Sequence, residues 1–333
     1  MSRRRFLIPV FLVAALAAPA GAAAEPAATQ GAAATGGSPA ATTSSQRVPK
    51  AVVKIKIGRL QKGRAKIMSK VPAVGTLKPF APRQLVRVDY FLNGRRVATK
   101  KARVRKGKGD YGVFRTRIRL RKGGKYAVAA RYRGRLGADR TVRKSWKVRY
   151  PSLSRGECGR VVKGFKKGLR EMGYIAGRGS CFKGKTARGV LAYRKANGMT
   201  RNFQAGKRVV KRVFARRGGY RLRHPKGGDH VEANLDKQVL VFAKRGRATH
   251  IYPISSGTSA TPTVTGHYRF HRTEPGYNNL GMYYSWYFIG GYAIHGYKSV
   301  PNHPASHGCL RTFIADQPEI FNRIDHGESI YVY

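Results

Sequence analysis

From Phe114 to Arg121 every second residue is arginine: Phe114, Thr116, Ile118 and Leu120 alternate with Arg115, Arg117, Arg119 and Arg121. A period of two puts the two sets on opposite faces of an extended strand, and no helix could segregate them. Val86, Val88, Tyr90 and Leu92 repeat the pattern against Arg87 and Asp89, as do Tyr126, Val128, Ala130 and Tyr132. Asn93-Gly94, Lys108-Gly109-Asp110 and Gly123-Gly124 supply turns between these runs. About seven short strands in such a length predict an antiparallel β-sandwich of immunoglobulin-like type over residues 50–150. This segment has no His or Cys, and its acids are Asp89, Asp110 and Asp139. It holds no catalytic constellation and is expected to be a spacer or a binding module.

The arginines belong to a larger imbalance. The 333 residues include 68 Lys and Arg against 14 Asp and Glu, a net charge of +54. Residues 50–150 hold 33 of the cations against three acids, 151–219 hold 19 against two, and 220–333 hold 12 against eight. With 41% hydrophobic residues the chain can bury real cores, which excludes wholesale disorder. Three cysteines exclude a disulfide-dense miniprotein. The excess predicts a polyanionic neighbour: nucleic acid, anionic lipid or an anionic extracellular polymer.

The N-terminus chooses among these. Arg3-Arg4-Arg5 precedes an apolar run from Phe6, and Ala22-Ala23-Ala24 offers a cleavage site before Glu25. Residues 1–24 are predicted to be an export signal, of the general secretory or the twin-arginine kind, too short to serve as a comfortable transmembrane helix. No later stretch is long enough to span a membrane, so no integral span is expected after cleavage. Residues 25–49, rich in Ala, Thr, Ser and Gly, are predicted to be a flexible linker. Export makes nucleic acid an unexpected partner. The basic segments are then expected to attach to anionic polymers outside the cell, such as those of a wall.

From Pro151 the period changes. Val161, Val162, Phe165 and Leu169 lie at helical spacing; Val190, Leu191 and Tyr193 follow, closed by Asn197-Gly198, and then Val209, Val210, Val213 and Phe214. Residues 151–219 are predicted to form a compact three-helix unit. Leu169 to Tyr174, and the stretch from Cys181-Phe182-Lys183-Gly184-Lys185-Thr186 on to Asn197-Gly198-Met199, resemble the small peptidoglycan-binding module found beside cell-wall enzymes. Arg194 departs from the Gln usual in that family. Cys158 and Cys181, 23 apart in an exported chain, are most simply a disulfide; half of a zinc site would need nearby His or Cys partners.

Residues 220–333 return to strands, with one short helix around Pro318 to Arg323. Setting the disulfide aside leaves Cys309 alone. Ser306-His307-Gly308-Cys309 sets an imidazole and a flexible glycine before the sulfur, where a turn can gather backbone N–H groups into an oxyanion site. His295, in Ala293-Ile294-His295-Gly296, ends an apolar run fourteen residues upstream. A thiol needs such a base, because an unperturbed one with pKa about 8.5 is only slightly ionised at neutral pH. His267 and His271 have no third ligand at metal spacing and are expected to be solvated strand residues.

Ile294-His295-Gly296 followed by Ser306-His307-Gly308-Cys309-Leu310-Arg311 resembles the signature of the L,D-transpeptidase catalytic domain of YkuD type. Asn234 to Phe242, Ser255-Ser256-Gly257 and Thr261 to Gly266 extend the likeness. The whole chain then reads as a mostly β multidomain protein: sandwich, three-helix module and catalytic domain. The resemblance implies Cys309 as nucleophile, His295 as general base in an ion pair with it, and the Gly296 carbonyl orienting the imidazole. It implies an oxyanion site lined by His307, Gly308 and the N–H of Cys309, with Ser306 holding the turn. Arg311 would meet a substrate carboxylate or brace the loop. Tyr283, Tyr284, Trp286, Tyr287 and Tyr297 would wall the substrate cleft or pack the core. No metal or cofactor is implied. The implied reaction is attack on the position-3 L-centre of a peptidoglycan stem tetrapeptide, loss of D-Ala, and a 3→3 cross-link through a Cys thioester. The alternatives are an L,D-carboxypeptidase using the same site, or a non-catalytic wall-binding protein.

Overall fold

The computed structural model describes residues 51–133 and 140–333; the expected export signal 1–24, the linker 25–49, Lys50 and Asp139 lie outside the described residues. The arginine alternation folds as its period dictates. Strands β1 (Val52–Ile57), β2 (Arg64–Lys66), β3 (Lys70–Lys78), β4 (Leu85–Leu92), β5 (Arg95–Arg103), β6 (Arg105–Lys106), β7 (Gly112–Arg119), β8 (Gly124–Tyr132) and β9 (Arg140–Arg149) form two sheets, ordered β1-β3-β7-β6 and β2-β9-β8-β4-β5. Phe114, Ile118, Val86, Val88, Tyr90, Val128 and Trp146 face each other in one core, while Arg115, Arg117 and Arg119 point outward. Two of these strands, β2 and β6, are three- and two-residue edge pieces with too few residues to show a periodicity. Strand β2 runs parallel to β9, the exception among the sandwich pairings.

Three helices follow: α1 (Arg160–Arg170), α2 (Gly184–Ala196) and α3 (Lys207–Phe214). Helix α2 stops where Asn197-Gly198 predicts. Gly198 takes φ 61°, the Met199 N–H donates to the Arg194 carbonyl and the Gly198 N–H to the Lys195 carbonyl, so two end carbonyls are satisfied. A disulfide joins Cys158, before α1, to Cys181, before α2.

The rest builds two more sheets. One contains β10 (His230–Asn234), β11 (Val239–Lys244), β12 (Arg247–Pro253), β13 (Gly266–Arg269) and the final strand β18 (Ser329–Val332), in the order β12-β11-β10-β18-β13. The other contains β14 (Arg272–Tyr277), β15 (Tyr283–Ile289), β16 (Tyr292–Tyr297) and β17 (Leu310–Phe313) in sequence order. Helix α4 (Gln317–Phe321) lies between β17 and β18, one residue earlier at its start than the expected Pro318.

The Val239–Ala243 run explains how these layers meet. Such an unbroken apolar strand must be covered on both faces. Leu240 and Phe242 pack with Trp286, Phe288, Ile294 and Leu310 of the second sheet. Val239, Val241 and Ala243, with Ile251, pack instead with Val162, Phe165, Tyr174, Val190, Tyr193 and Val213 of the helices. The helices and the C-terminal sheet therefore share one core. Polar ties reinforce it. Arg188 forks onto Asp316 at 2.5 and 2.7 Å, Lys185 pairs with Glu319, and Lys195 donates to the Ile254 carbonyl at 2.6 Å. Arg201 donates to the Asn302 carbonyl at 2.8 Å, and Asn302 returns a bond to the Arg201 carbonyl.

Candidate active site

The parallel pairing of β16 and β17 brings His295 opposite Arg311. Cys309 is the residue just before β17, so the 298–308 loop must leave the sheet and return to set the thiol beside the histidine strand. Buried Ser306 ties that return. Its hydroxyl donates to the Cys309 carbonyl at 2.6 Å and accepts the Gly308 N–H at 3.1 Å. Thr263 braces the same turn from outside, donating to the Gly308 carbonyl at 2.6 Å and accepting the Gly257 N–H at 2.9 Å. The turn requires glycine at 308: φ is 116°, and a Cβ there would lie 2.5 Å from the Tyr292 ring.

His295, 2% exposed, donates from Nδ1 to the Gly296 carbonyl at 3.0 Å, which leaves Nε2 as the proton acceptor. The Gly296 carbonyl thus fixes the tautomer of the imidazole. The Thr312 hydroxyl lies between the His295 carbonyl and the Gln317 side-chain carbonyl, and the Gln317 amide donates to the Tyr284 carbonyl at 2.6 Å. Tyr284 takes φ 53°, a left-handed conformation uncommon for a side chain of its size.

A cleft of about 440 Å³ collects these groups, lined by His295, Ser306, His307, Cys309, Arg311 and Tyr297 together with Leu280, Met282 and Gly291. The last three were missed in the sequence; an exposed Leu280 before Gly281 carries no signal of a cleft until the β14–β15 connection folds over it. Arg311 stacks its guanidinium 4.2 Å above the Tyr297 ring and donates to the Ala305 carbonyl at 2.9 Å. It both braces the loop and faces the cleft.

Several expected roles need correction. Trp286 does not wall the cleft: it is 6% exposed, packs against Phe270 and Phe321, and its indole N–H donates to the Phe321 carbonyl at 2.9 Å. An amphipathic ring that finds a buried acceptor is better placed in the core. Tyr283 packs tilted against Tyr277 and edge-on against Tyr284, beside Gly296, and is likewise absent from the cleft lining. Tyr287 is buried and donates to Glu274 at 2.6 Å. The Gly308 N–H, spent on Ser306, is not free for an oxyanion. Among the described residues, the amides of His307 and Cys309 are the ones in this turn without a protein acceptor.

Electrostatics also revise the expected ion pair. Burial pushes the Cys309 thiol up, against the Ala293 amide and the Arg311 charge, which pull it down. Burial lowers His295 to about 4, opposed by its Gly296 bond and aided by Arg311. Both shifts favour neutral groups, and the thiol donates at rest to the Gly291 carbonyl at 3.6 Å. Burial thus works against the expected ion pair.

The described residues contain no cluster of three or more His, Cys, Asp or Glu suited to a metal ion, and none of their helices is long and apolar enough to cross a membrane. Residues 228–332 match the family model of the YkuD L,D-transpeptidase catalytic domain. No curated protein matches the chain significantly. Among solved structures, an L,D-transpeptidase from Xylanimonas cellulosilytica is 27% identical, with 55% of this chain and 98% of that one covered and a TM-score of 0.51. One from Stackebrandtia nassauensis is 18% identical over 54% of this chain and 94% of that one, with a TM-score of 0.35. An Enterococcus faecium L,D-transpeptidase is 23% identical over 32% of this chain and 50% of that one, with a TM-score of 0.29. The chain therefore carries over residues 228–332 a catalytic domain of the YkuD L,D-transpeptidase family, and is an L,D-transpeptidase enzyme.

Proposed function

We propose that Cys309 is the acylated nucleophile of an exported, wall-located L,D-transpeptidase that forms 3→3 cross-links between peptidoglycan stems. The observation that carries this reading is the shared cleft, in which a tautomer-fixed His295 and the lone thiol of Cys309 meet two free amides. Because burial disfavours a charge on either group, charge is created in the reaction. The Cys309 proton passes to Nε2 of His295 as sulfur attacks the carbonyl of the position-3 L-centre. The oxyanion that forms is met by the amides of His307 and Cys309, with the Arg311 cation nearby. The imidazolium then protonates the leaving D-Ala amine, and a thioester remains. A side-chain amine of a second stem loses its proton to His295, attacks the thioester and releases Cys309. Arg311, held flat on Tyr297, is placed to receive a stem carboxylate.

The organisation that accompanies this reading is export signal 1–24, linker 25–49, sandwich 50–150, helical segment 151–219 and catalytic domain 220–333. Water in place of the acceptor amine would make the same site an L,D-carboxypeptidase. Incubation with a stem tetrapeptide, followed by intact mass spectrometry and product separation, tests the proposal. An acyl adduct that maps to Cys309 and dimer formation lost in Cys309→Ala are expected. Dimers formed equally by Cys309→Ala would overturn it, and D-Ala release without dimers would transfer the assignment to carboxypeptidase.

A further inference from the structure

The strand register of the sandwich stacks like charges against one another. On the outer face of the four-stranded sheet, Lys70 is the register partner of Arg119; Arg117 and Arg115 follow along β7, and Arg115 continues across Val74 to Lys56. On the outer face of the five-stranded sheet, Arg64, Lys147 and Lys125 stand straight across three strands, and Lys66 faces Arg149 in the next row. All of these except the partly covered Lys70 are exposed. Like charges directly opposite each other destabilise a sheet, and surface pairs of opposite sign are the stabilising arrangement. The crowding is felt within the fold: Arg117, then Arg119 and Arg160, hold the Lys70 ammonium below its ordinary pKa.

Among the described residues, no acid of the sandwich faces these rows. Among the described residues of the sandwich the acids are Asp89 and Asp110. Asp89 is engaged by Arg87 and Thr99, and Asp110 accepts the Phe80 N–H. Neither stands on either row. The missing charge is therefore external, and a polymeric anion supplies it best, because each phosphate neutralised releases a condensed counterion. Strand geometry sets the spacing of the cations at about 7 Å along a strand and about 5 Å between strands. The first is the scale of one charge per short polyol-phosphate unit. No aromatic ring on which a nucleic-acid base could stack stands within the Lys70/Arg115/Arg117/Arg119 rows or the Arg64/Lys147/Lys125 row; Tyr111 and Phe91 lie outside them, under Lys78 and Arg143.

We propose that the outer faces of the sandwich dock an extended polyol-phosphate polymer of the cell wall, through the Lys70/Arg115/Arg117/Arg119 rows and the Arg64/Lys147/Lys125 row. This rests on the exported, wall-located reading above. Docking holds the catalytic domain at the wall without drawing on its own, nearly balanced charge.

Binding of the full chain to immobilised poly(glycerol phosphate), measured as Kd across a salt series, tests the proposal. Tight binding that weakens steeply with salt is expected. Replacing Lys70, Arg115, Arg117 and Arg119 by Gln should weaken it at least about tenfold at low salt. It should also flatten log Kd against log salt, by about 0.7 for each cation removed if the polymer behaves as a single strand. Thermal unfolding of this variant should stay level or rise, since repulsion is removed. A second variant, Arg64→Gln/Lys125→Gln/Lys147→Gln, samples the other sheet, and Arg117→Lys/Arg119→Lys should retain binding. Unchanged affinity and slope in both Gln variants would overturn the proposal. So would tighter binding of single-stranded DNA of equal charge, which would give the faces to nucleic acid. Turnover of a soluble stem tetrapeptide by the same samples should not change. Absent turnover with intact polymer binding would sink the catalytic reading and leave this one standing.

Discussion

Arg188 of α2 is the strongest single tie between the helices and the catalytic domain, and its removal should be felt throughout the C-terminal half. Its guanidinium makes a two-pronged contact at 2.5 and 2.7 Å with Asp316, whose side chain is 1% exposed against 15% for Arg188. Arg188→Met keeps the hydrophobic stem but leaves that carboxylate buried without its partner. Breaking such a pair from one side costs about 3–5 kcal/mol, whereas replacing both members by apolar residues is often close to neutral. The expected loss for Arg188→Met is therefore about 3–5 kcal/mol. At about 2–4 °C per kcal/mol for a unit of 150–250 residues, that is a fall in Tm of order 6–20 °C. Arg188→Met/Asp316→Leu should recover most of it. The damage should also reach the active site. Asp316 directly precedes Gln317, whose side chain holds the Thr312 hydroxyl and the Tyr284 carbonyl beside His295. Urea unfolding followed by calorimetry on the four members of the cycle reads the stability, and tetrapeptide turnover reads the site. A loss below about 1 kcal/mol for Arg188→Met, or a coupling energy near zero, would refute the reasoning.

His295 is held neutral, with a folded pKa of about 4 against an ordinary 6.5, so its stabilisation is whole above pH 6.5 and is lost as pH falls towards 4. That is about 3 kcal/mol between pH 7 and pH 4, readable as a urea-midpoint shift that His295→Gln should abolish, and the acid limb of kcat/KM should lie near 4 rather than 6.5. Because burial raises the Cys309 thiol, its alkylation by iodoacetamide in the free enzyme should accelerate only above the ordinary thiol range. Gly308→Ala, with a Cβ 2.5 Å from the Tyr292 ring at φ 116°, should cut kcat at least about 100-fold, on the scale of losing an oxyanion donor, and a normal turnover rate would refute the account of the turn. Thr263→Val strands the buried Gly257 N–H and the Gly308 carbonyl, so about 1–3 kcal/mol should be lost in denaturant titration, together with kcat. Reduction of the Cys158–Cys181 bond should lower stability by about 3 kcal/mol for a loop of this length, measured as a Tm shift with and without reductant.

Local pattern sufficed where local physics decides. The alternation at Phe114–Arg121 identified a strand and its inner face, Asn197-Gly198 ended a helix, and the His295 and Ser306–Cys309 motifs named residues that the fold gathers in one cleft. What the sequence withheld depends on partners distant along the chain. Trp286 and Tyr297 are both aromatics near the motif, and only the packing of Phe270 and Phe321 decides which of them is core. Arg188 and Asp316 are 128 residues apart, each unremarkable among its neighbours. The family resemblance implied an ion pair of thiol and imidazole, and the burial that works against it is invisible in the motif. Register is hidden in the same way. Each basic strand shows its own cations in the sequence, and only the pairing sets Lys70 against Arg119.

The shared helix–sheet core has a consequence for how such a chain can be recombined. A fragment cut at residue 220 or 228 would open one whole side of β11 and β12 to water, exposing Val239, Val241, Ala243 and Ile251 where α1, α2 and α3 now sit. The joint at Tyr150 is different in kind. There the sandwich meets the helices through half-buried side chains, Tyr150, Val161, Phe214 and Met68, which extended chain could replace with little loss. By this packing, residues 151–333 are the piece that keeps both faces of β11 covered.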